Sequence, residues 1–449
     1  MPVSYIRIYA AKLKARFHAS PLAKRIISGA MWSLTGAVGG KGLTLISSIV
    51  AARILGKTRF GEFGMIQNTI WSFGIFAGAG LGLTATKHVA EFREKDPERV
   101  GRILALSRRV TYFTGTITAG LIFVFADRLA ANTLAAPGLT VEVRIASLLL
   151  FLSALNGVQT GALSGFEAFR TIAQNAFITG IAGFVLTISG ALIAGLPGVV
   201  WAAVGSIFVS SVLFWRSLKA QTEKYHIPRK PTGISREWKT LWQFSLPSII
   251  SSLSVVPVNW ACNLILVNQP NGYAEMGLLN AAIQWRNIIL FIPGVLMSVC
   301  LPMLTNLGAT GEFNKQRKVL LSSVGLAAIV GFCAAAAVSL CSKYVMASYG
   351  PEFANGQNTL VLQSVAAAIA AVIGVMGQFL ISTGALWSLI FLQLIWGLVN
   401  ISLTWILRSK GAEGVALAYM IAYIVHLATM STFTFWKLKR HNSMPAMAI

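Results

Sequence analysis

SGAMWSLTGAVGGKGLTLISSIVAA (Ser28–Ala52), RILG (Arg53–Gly56) and EFGMIQNTIWSFGIFAGAGLGLTA (Glu62–Ala85) make up the stretch that decides the fold. Two apolar runs, each long enough to cross a bilayer as a helix, flank a short polar turn. Lys41 stands in the middle of the first run. A charge there is costly in hydrocarbon, so it belongs against a protein interior or a watery cavity. The second run is rich in glycine and passes into Thr86-Lys87-His88-Val89-Ala90-Glu91. A related hairpin returns near Leu246–Leu307.

The same reading extends to the whole chain. Of its 449 residues 55% are hydrophobic and 11% charged, against about a quarter charged in soluble domains. The chain reads as an all-α polytopic membrane protein, because a helix satisfies its own backbone in lipid. A transmembrane barrel would need short alternating segments, and those are absent. Twelve spans are expected, about Ser28–Ala52, Glu62–Ala85, Val110–Ala130, Val143–Leu163, Thr171–Ala194 and Val199–Trp215 in the first part. The second part supplies Leu241–Val267, Met276–Leu301, Val319–Cys341, Asn358–Ile381, Leu389–Leu407 and Val415–Trp436. The loop Thr86–Arg109 reads as an amphipathic surface helix interrupted at Pro97. Ser342–Gln357 is the longest loop on the other side, with room for a small turn.

The net charge is +23. With both termini in the cytoplasm, cytoplasmic segments hold 27 of the 37 lysines and arginines. That bias is the positive-inside signature, and it assigns most of the charge to topology and anionic lipid. No basic patch interleaved with aromatics points to nucleic acid. Cys262, Cys300, Cys333 and Cys341 lie within or at the ends of apolar spans, without C-x-x-C spacing, and read as free buried thiols. Residues 1–27 carry no cleavable signal pattern, so the first span is expected to act as an anchor. No hydrolase nucleophile motif, phosphate-binding glycine loop or metal-ligand cluster is present, and no cofactor is called for.

The chain also repeats itself. Phe60-Gly61-Glu62-Phe63-Gly64-Met65-Ile66-Gln67 matches Tyr273-Ala274-Glu275-Met276-Gly277-Leu278-Leu279-Asn280 in type at every position, at an offset of 213. Gly198-Val199-Val200-Trp201-Ala202 resembles Gly414-Val415-Ala416-Leu417-Ala418 in the same way. The expected domains are a basic segment 1–27, a six-helix bundle 28–216, a linker 217–240, a second six-helix bundle 241–436 and a tail 437–449. Bundles with an even number of spans are related by a pseudo-two-fold axis along the membrane normal. Parallel repeats of this kind place a substrate site between the halves.

Two buried cations are the candidate site residues. Lys41 is flanked by Gly39, Gly40 and Gly42, which leave the helix thin, as a cavity wall requires. Its alternative is a lysine that snorkels or pairs with a backbone carbonyl. Arg286 falls in the eighth span, and a guanidinium fork fits phosphate. Asn259, Asn263 and Gln284 are intramembrane amides that can bind sugar hydroxyls or bridge helices. Arg144 is expected at an interface. All fourteen carboxylates fall in loops or at span ends. A proton- or sodium-coupled pump usually places one at mid-span. Glu62 and Glu275, at matched repeat positions, are expected to pair with Arg53 or Arg59 or to cap a helix.

Ala52-Arg53-Ile54-Leu55-Gly56, then Phe60-Gly61, then Gly80-Leu81-Gly82 and Thr86-Lys87-His88-Val89-Ala90-Glu91, resemble the opening hairpin of bacterial polysaccharide flippases. These belong to the multidrug/oligosaccharidyl-lipid/polysaccharide exporter superfamily. The resemblance implies two six-helix bundles in a V that open alternately to either side. It implies an undecaprenyl-diphosphate-linked oligosaccharide as substrate, moved from the cytoplasmic to the periplasmic leaflet of the inner membrane. A polysaccharide polymerase and glycosyltransferases would be its neighbours. Related lipid II flippases place a basic residue twelve positions before the same arginine, as Lys41 stands before Arg53, and an arginine in the eighth span, where Arg286 is similar. Their second basic residue is Ser47 here, which sets this chain apart from a lipid II substrate. The alternatives are a cation-coupled multidrug antiporter of the same superfamily, or a membrane polysaccharide polymerase. The polymerase would need a large external loop.

Overall fold

The computed structural model describes residues 21–78, 80–228, 231–239, 249–250 and 252–442. These residues are helical with short connections and contain no strand. The helices of eight residues or more are α1 (Pro21–Gly78), α2 (Leu81–Phe92), α3 (Pro97–Val124), α4 (Thr140–Gly165), α5 (Phe169–Lys224), α6 (Val256–Val267) and α7 (Gly272–Ile289). They continue with α8 (Phe291–Ala309), α9 (Phe313–Leu340), α10 (Ser342–Tyr349), α11 (Gln357–Ser382), α12 (Leu386–Ile406) and α13 (Gly411–Asn442). Most of segment 1–27, the start of the expected span Leu241–Val267 with Pro247, and residues 443–449 lie outside the described residues.

Among the described residues, seven helical stretches are long and apolar enough to cross a membrane, and two bent pairs raise that to nine. The expected count was twelve, and chain reversals inside continuous helices account for part of the difference. α5 has 56 residues, which would reach about 84 Å if straight, far beyond a hydrocarbon core of about 30 Å. It reverses at Gly195, whose φ of 59° suits a residue without a side chain. Its arms run back antiparallel: Gly190 meets Gly198, Gly183 meets Ser206, and Asn175 donates to the Ser217 hydroxyl at 2.8 Å. α1 breaks at Gly56, with φ of 73°. Lys41 and Gly74 line one cavity, although a straight helix would hold them roughly 50 Å apart.

The segment Thr86–Arg109 is the end of α2 and the start of α3, and the helix is interrupted just before Pro97, as expected. The Asp96 carboxylate accepts the Arg99 N–H at 2.9 Å, and Pro97 stands in the first turn, where it costs no hydrogen bond. Proline therefore stands where the interrupted helix starts again. The loop Ser342–Gln357 is likewise α10 followed by a 3-10 turn, Pro351–Gly356. Cys262 and Cys300 are buried as expected, but Cys333 and Cys341 are exposed.

Packing falls into two groups, α1–α5 and α6–α13, joined chiefly where the second arm of α1 lies on α7. Several hydrogen bonds between the groups lie toward the Gly56 end. Arg53 Nε donates to the Ser348 carbonyl, Lys57 N–H to Glu352 at 3.0 Å, and Tyr273 O–H to the Leu134 carbonyl at 2.6 Å. Asn268 donates to the Thr133 carbonyl at 3.1 Å. Deeper in, Trp260 donates to Thr69 at 3.2 Å and Gln284 to Ser48. Phe60, Tyr349 and Phe353 form a buried ring cluster, with centroids 5.6–6.2 Å apart.

At this crossing the backbones nearly touch. A methyl group on Gly61 would stand 1.8 Å from the Tyr273 carbonyl oxygen. Gly61→Leu should therefore separate α1 from α7 and destabilise the protein by about 1–3 kcal/mol, the cost of overpacking. The melting temperature of the purified variant measures it.

A central cavity and a buried polar cluster

The first arm of α1 presents Lys41, Thr44, Ser48 and Ala51 on one face, three or four residues apart, as helical geometry requires. That face walls a cavity of about 920 Å³. The second arm contributes Phe63, Gln67, Trp71 and Gly74, and α5 contributes Thr179, Thr187, Ser206 and Ser210. α7 closes it with Gln284. Gly40 lets the first arm lie against Ala176 of α5, while nothing stands within 4 Å of the position a Gly42 side chain would take.

The chemistry of this wall is lopsided. It carries nine serine and threonine side chains and several aromatic rings, but no aspartate or glutamate, and Lys41 is its only charged residue. The ammonium stands 4.6 Å from the centroid of the Phe291 ring. No carboxylate pairs with it among the described residues. The Thr179 hydroxyl is buried without a hydrogen-bond partner among them. Such a surface suits a ligand rich in hydroxyls and carrying negative charge.

Of the five candidate site residues, Lys41 and Gln284 line this cavity. Arg286 does not. Two positions beyond Gln284, it leaves the opposite face of α7 and points at α13. Its Nη2 donates to the Tyr423 hydroxyl at 2.6 Å, and its guanidinium lies 5.4 Å from the ring centroids of Tyr419 and Tyr423. Asn259 belongs to the same cluster, accepting the Tyr419 O–H at 2.8 Å. Asn263 is buried nearby on α6, its Oδ1 without a hydrogen-bond partner among the described residues.

Other charged residues do structural work. Glu62 pairs with Arg59 at 2.9 Å, and Glu275 caps α13 by accepting the Ala412 N–H at 2.9 Å. Arg144 holds Asp127 at 2.6 Å. Glu237, buried, binds Arg99 and Arg102 at 3.3 and 3.4 Å and ties the inter-group segment to α3. No group of three or more metal-ligating side chains is found among the described residues.

The fold is that of the transporters of the superfamily known as MOP. An inward-facing multidrug resistance MATE family transporter of that superfamily superposes with a TM-score of 0.78, covering 93% of this chain and all of the other at 15% identity. An outward-facing multidrug resistance MATE family transporter superposes at 0.62, covering 94% of this chain and 97% of the other at 16% identity. Residues 26–308 match the family described as "Polysaccharide biosynthesis protein", and the chain belongs to that family. It is also 25% identical over 424 residues to the EPS I polysaccharide export inner membrane protein EpsE of Ralstonia solanacearum, covering 90% of this chain and 92% of the relative.

The hydroxyl wall went unnoticed in the sequence, although Lys41, Thr44 and Ser48 share a helical face. Single cysteines separate the two regions. Thr44→Cys and Ser206→Cys should react readily with a water-soluble maleimide in permeabilised membranes, and Tyr423→Cys only slowly. Labelling rates in a background without native cysteines measure this.

Proposed function

We propose that this chain flips undecaprenyl-diphosphate-linked oligosaccharide units from the cytoplasmic to the periplasmic leaflet of the bacterial inner membrane. At the coarser level it is a polysaccharide export transporter of the MOP superfamily, a multi-pass inner-membrane protein and not an enzyme. The observation that carries the finer reading is the cavity wall: one cation, Lys41, no carboxylate, and a lining of hydroxyls and aromatic rings. The diphosphate would settle against Lys41 and the sugars against the hydroxyls and Gln284. The polyprenyl tail would stay in lipid. Moving a diphosphate through hydrocarbon without such partners would cost many kcal/mol.

The motion proposed is rocking of bundle 28–216 against bundle 241–436 about the Gly56 end, with both termini in the cytoplasm. The contacts gathered at that end, and the closer likeness to an inward-facing than to an outward-facing transporter, support a cavity open to the cytoplasm. Anionic lipids would hold the basic cytoplasmic face. The second reading, a cation-coupled multidrug antiporter, draws on the MATE-like fold. A cavity with a lone positive charge opposes it, since a cationic drug would meet Lys41 without a carboxylate to balance it.

A deletion strain tests this. Lipid-linked repeat units should accumulate and surface polysaccharide should be lost, as seen by mass spectrometry of extracted lipids beside a polymer assay. Normal polymer with altered drug sensitivity would favour the antiporter. Lys41→Ala, at normal protein level, should lower export about ten- to a hundredfold, the worth of a charge-assisted contact. Export unchanged by that substitution would remove Lys41 from the mechanism.

A further inference from the structure

One ring on the wall of the central cavity is left bare by the fold. Among the described residues five aromatic side chains line that wall. Phe60 and Phe214 are buried, Phe63 and Phe184 are partly buried, and Trp71 is 73% exposed. An uncovered indole inside a cavity offers a large apolar face to whatever enters. Its neighbours on the helix shape the space in front of it. Gln67, Trp71, Gly74 and Gly78 follow at intervals of three or four residues, so they form one stripe along the second arm of α1. Nothing stands within 4 Å of the position a side chain would take at Gly74 or at Gly78. Along the helix the stripe is an amide, a flat indole and two gaps. The gaps clear the indole on the side toward α2, and the amide stands on the other.

Depth ties this stripe to Lys41. Lys41 stands fifteen residues before Gly56 and Trp71 fifteen after it. At 1.5 Å per residue both lie roughly 22 Å from the break, so they face the cavity at one level. Gly40 lies against Ala176 and Gly180, which brings Thr179 of α5 to the same level. A cation, a bare indole and a threonine hydroxyl at one depth match one chemical unit, a phosphorylated sugar. The C–H bonds on one face of a pyranose carry slight positive charge, which suits the negative face of an indole. The hydroxyls at its edge suit the Gln67 amide and the Thr179 hydroxyl, each of which can donate and accept.

We infer that Trp71 is a platform for the sugar joined directly to the diphosphate, and so the residue that sets which first sugar the protein accepts. The ring lies flat on the indole, in the space left open at Gly74 and Gly78, while Lys41 holds the phosphates. The inference rests on the lipid-linked glycan reading above and adds to it the part of the glycan that is inspected. A sugar further along the glycan lies at another depth, out of reach of the indole. Selection therefore falls on the first sugar. One that offers an unbroken C–H face is held, and one with polar groups projecting from both faces is held less well. The number and kind of the sugars beyond it matter little to this contact.

Two probes test this on the purified full-length protein in nanodiscs: farnesyl diphosphate, and farnesyl diphosphate carrying one N-acetylglucosamine. Titration calorimetry gives the affinity for each. The wild type should bind the sugar-bearing probe about three- to tenfold more tightly, the worth of one aromatic stacking contact. Trp71→Leu should lose that advantage, bind the bare diphosphate as the wild type does, and melt at the wild-type temperature, because the indole is mostly uncovered. Trp71→Phe should keep part of the advantage. A sugar advantage undiminished in Trp71→Leu would overturn the inference, and so would a wild type that gains nothing from the sugar. An equal loss of affinity for both probes in Trp71→Leu, with a lower melting temperature, would also overturn it, since the indole would then be holding the shape of the cavity. Lys41→Ala separates the two proposals: it should weaken both probes alike and leave the sugar advantage in place. If neither probe binds the wild type, the lipid-linked glycan reading itself falls, and the platform with it.

Discussion

The crossing of α1 over α7 is the contact on which the rest of the molecule depends. Two helices approach until backbone meets backbone, because Gly61 and Gly277 leave no side chain between them. Around that point Phe60, Tyr349 and Phe353 pack as a dry ring cluster, and the Glu352 carboxylate caps the second arm of α1 through the Lys57 N–H. A carboxylate at a helix N-terminus is favourable, and it is a contact that can be released without breaking a covalent or metal bond. The two helix groups are thus held at one end and part around a cavity further along. A cavity between groups joined at one end is the geometry that alternating access needs.

The charge on the cavity wall sets what it can hold. Lys41 has an aromatic ring at 4.6 Å and no carboxylate partner among the described residues. An ammonium in that setting is stabilised by an incoming anion far more than by water at a bulk surface. The neutral hydroxyls that surround it can exchange partners with sugar hydroxyls at little net cost. At the closed end Arg53, Lys57, Asn268 and Tyr273 find partners across the two helix groups. Cross-group hydrogen bonds hold the conformation at one end, and the hydroxyl-lined cavity offers binding groups further along.

Much of this was legible in the sequence because its causes are local. Span hydrophobicity needs only composition, and Lys41 drew attention because a mid-span charge is costly wherever it points. The paired octets around Glu62 and Glu275 marked the crossing, since Gly64 and Gly277 of those octets contact the opposite helix. What was not legible depends on rotation about a helix axis. Gln284 and Arg286 are two residues apart and leave opposite faces of α7, so one lines the cavity and the other the cluster. Sequence reading joined them in one cationic surface. The interruption at Pro97, by contrast, was legible because its cause is local: Asp96 caps α3 and proline takes the first turn.

The most direct test addresses the closed end. Arg53→Cys and Ser348→Cys, placed in a chain without its native cysteines, can be joined by a short bifunctional thiol reagent across the α1–α10 contact. The purified protein would be reconstituted in vesicles containing a lipid-linked oligosaccharide, and the fraction of glycan reaching the far leaflet would be measured before and after joining. The account requires that joining stops transfer and that cleavage of the linker restores it. Transfer at the unjoined rate with the link intact would contradict it, because the glycan would then be crossing without the Gly56 end ever opening.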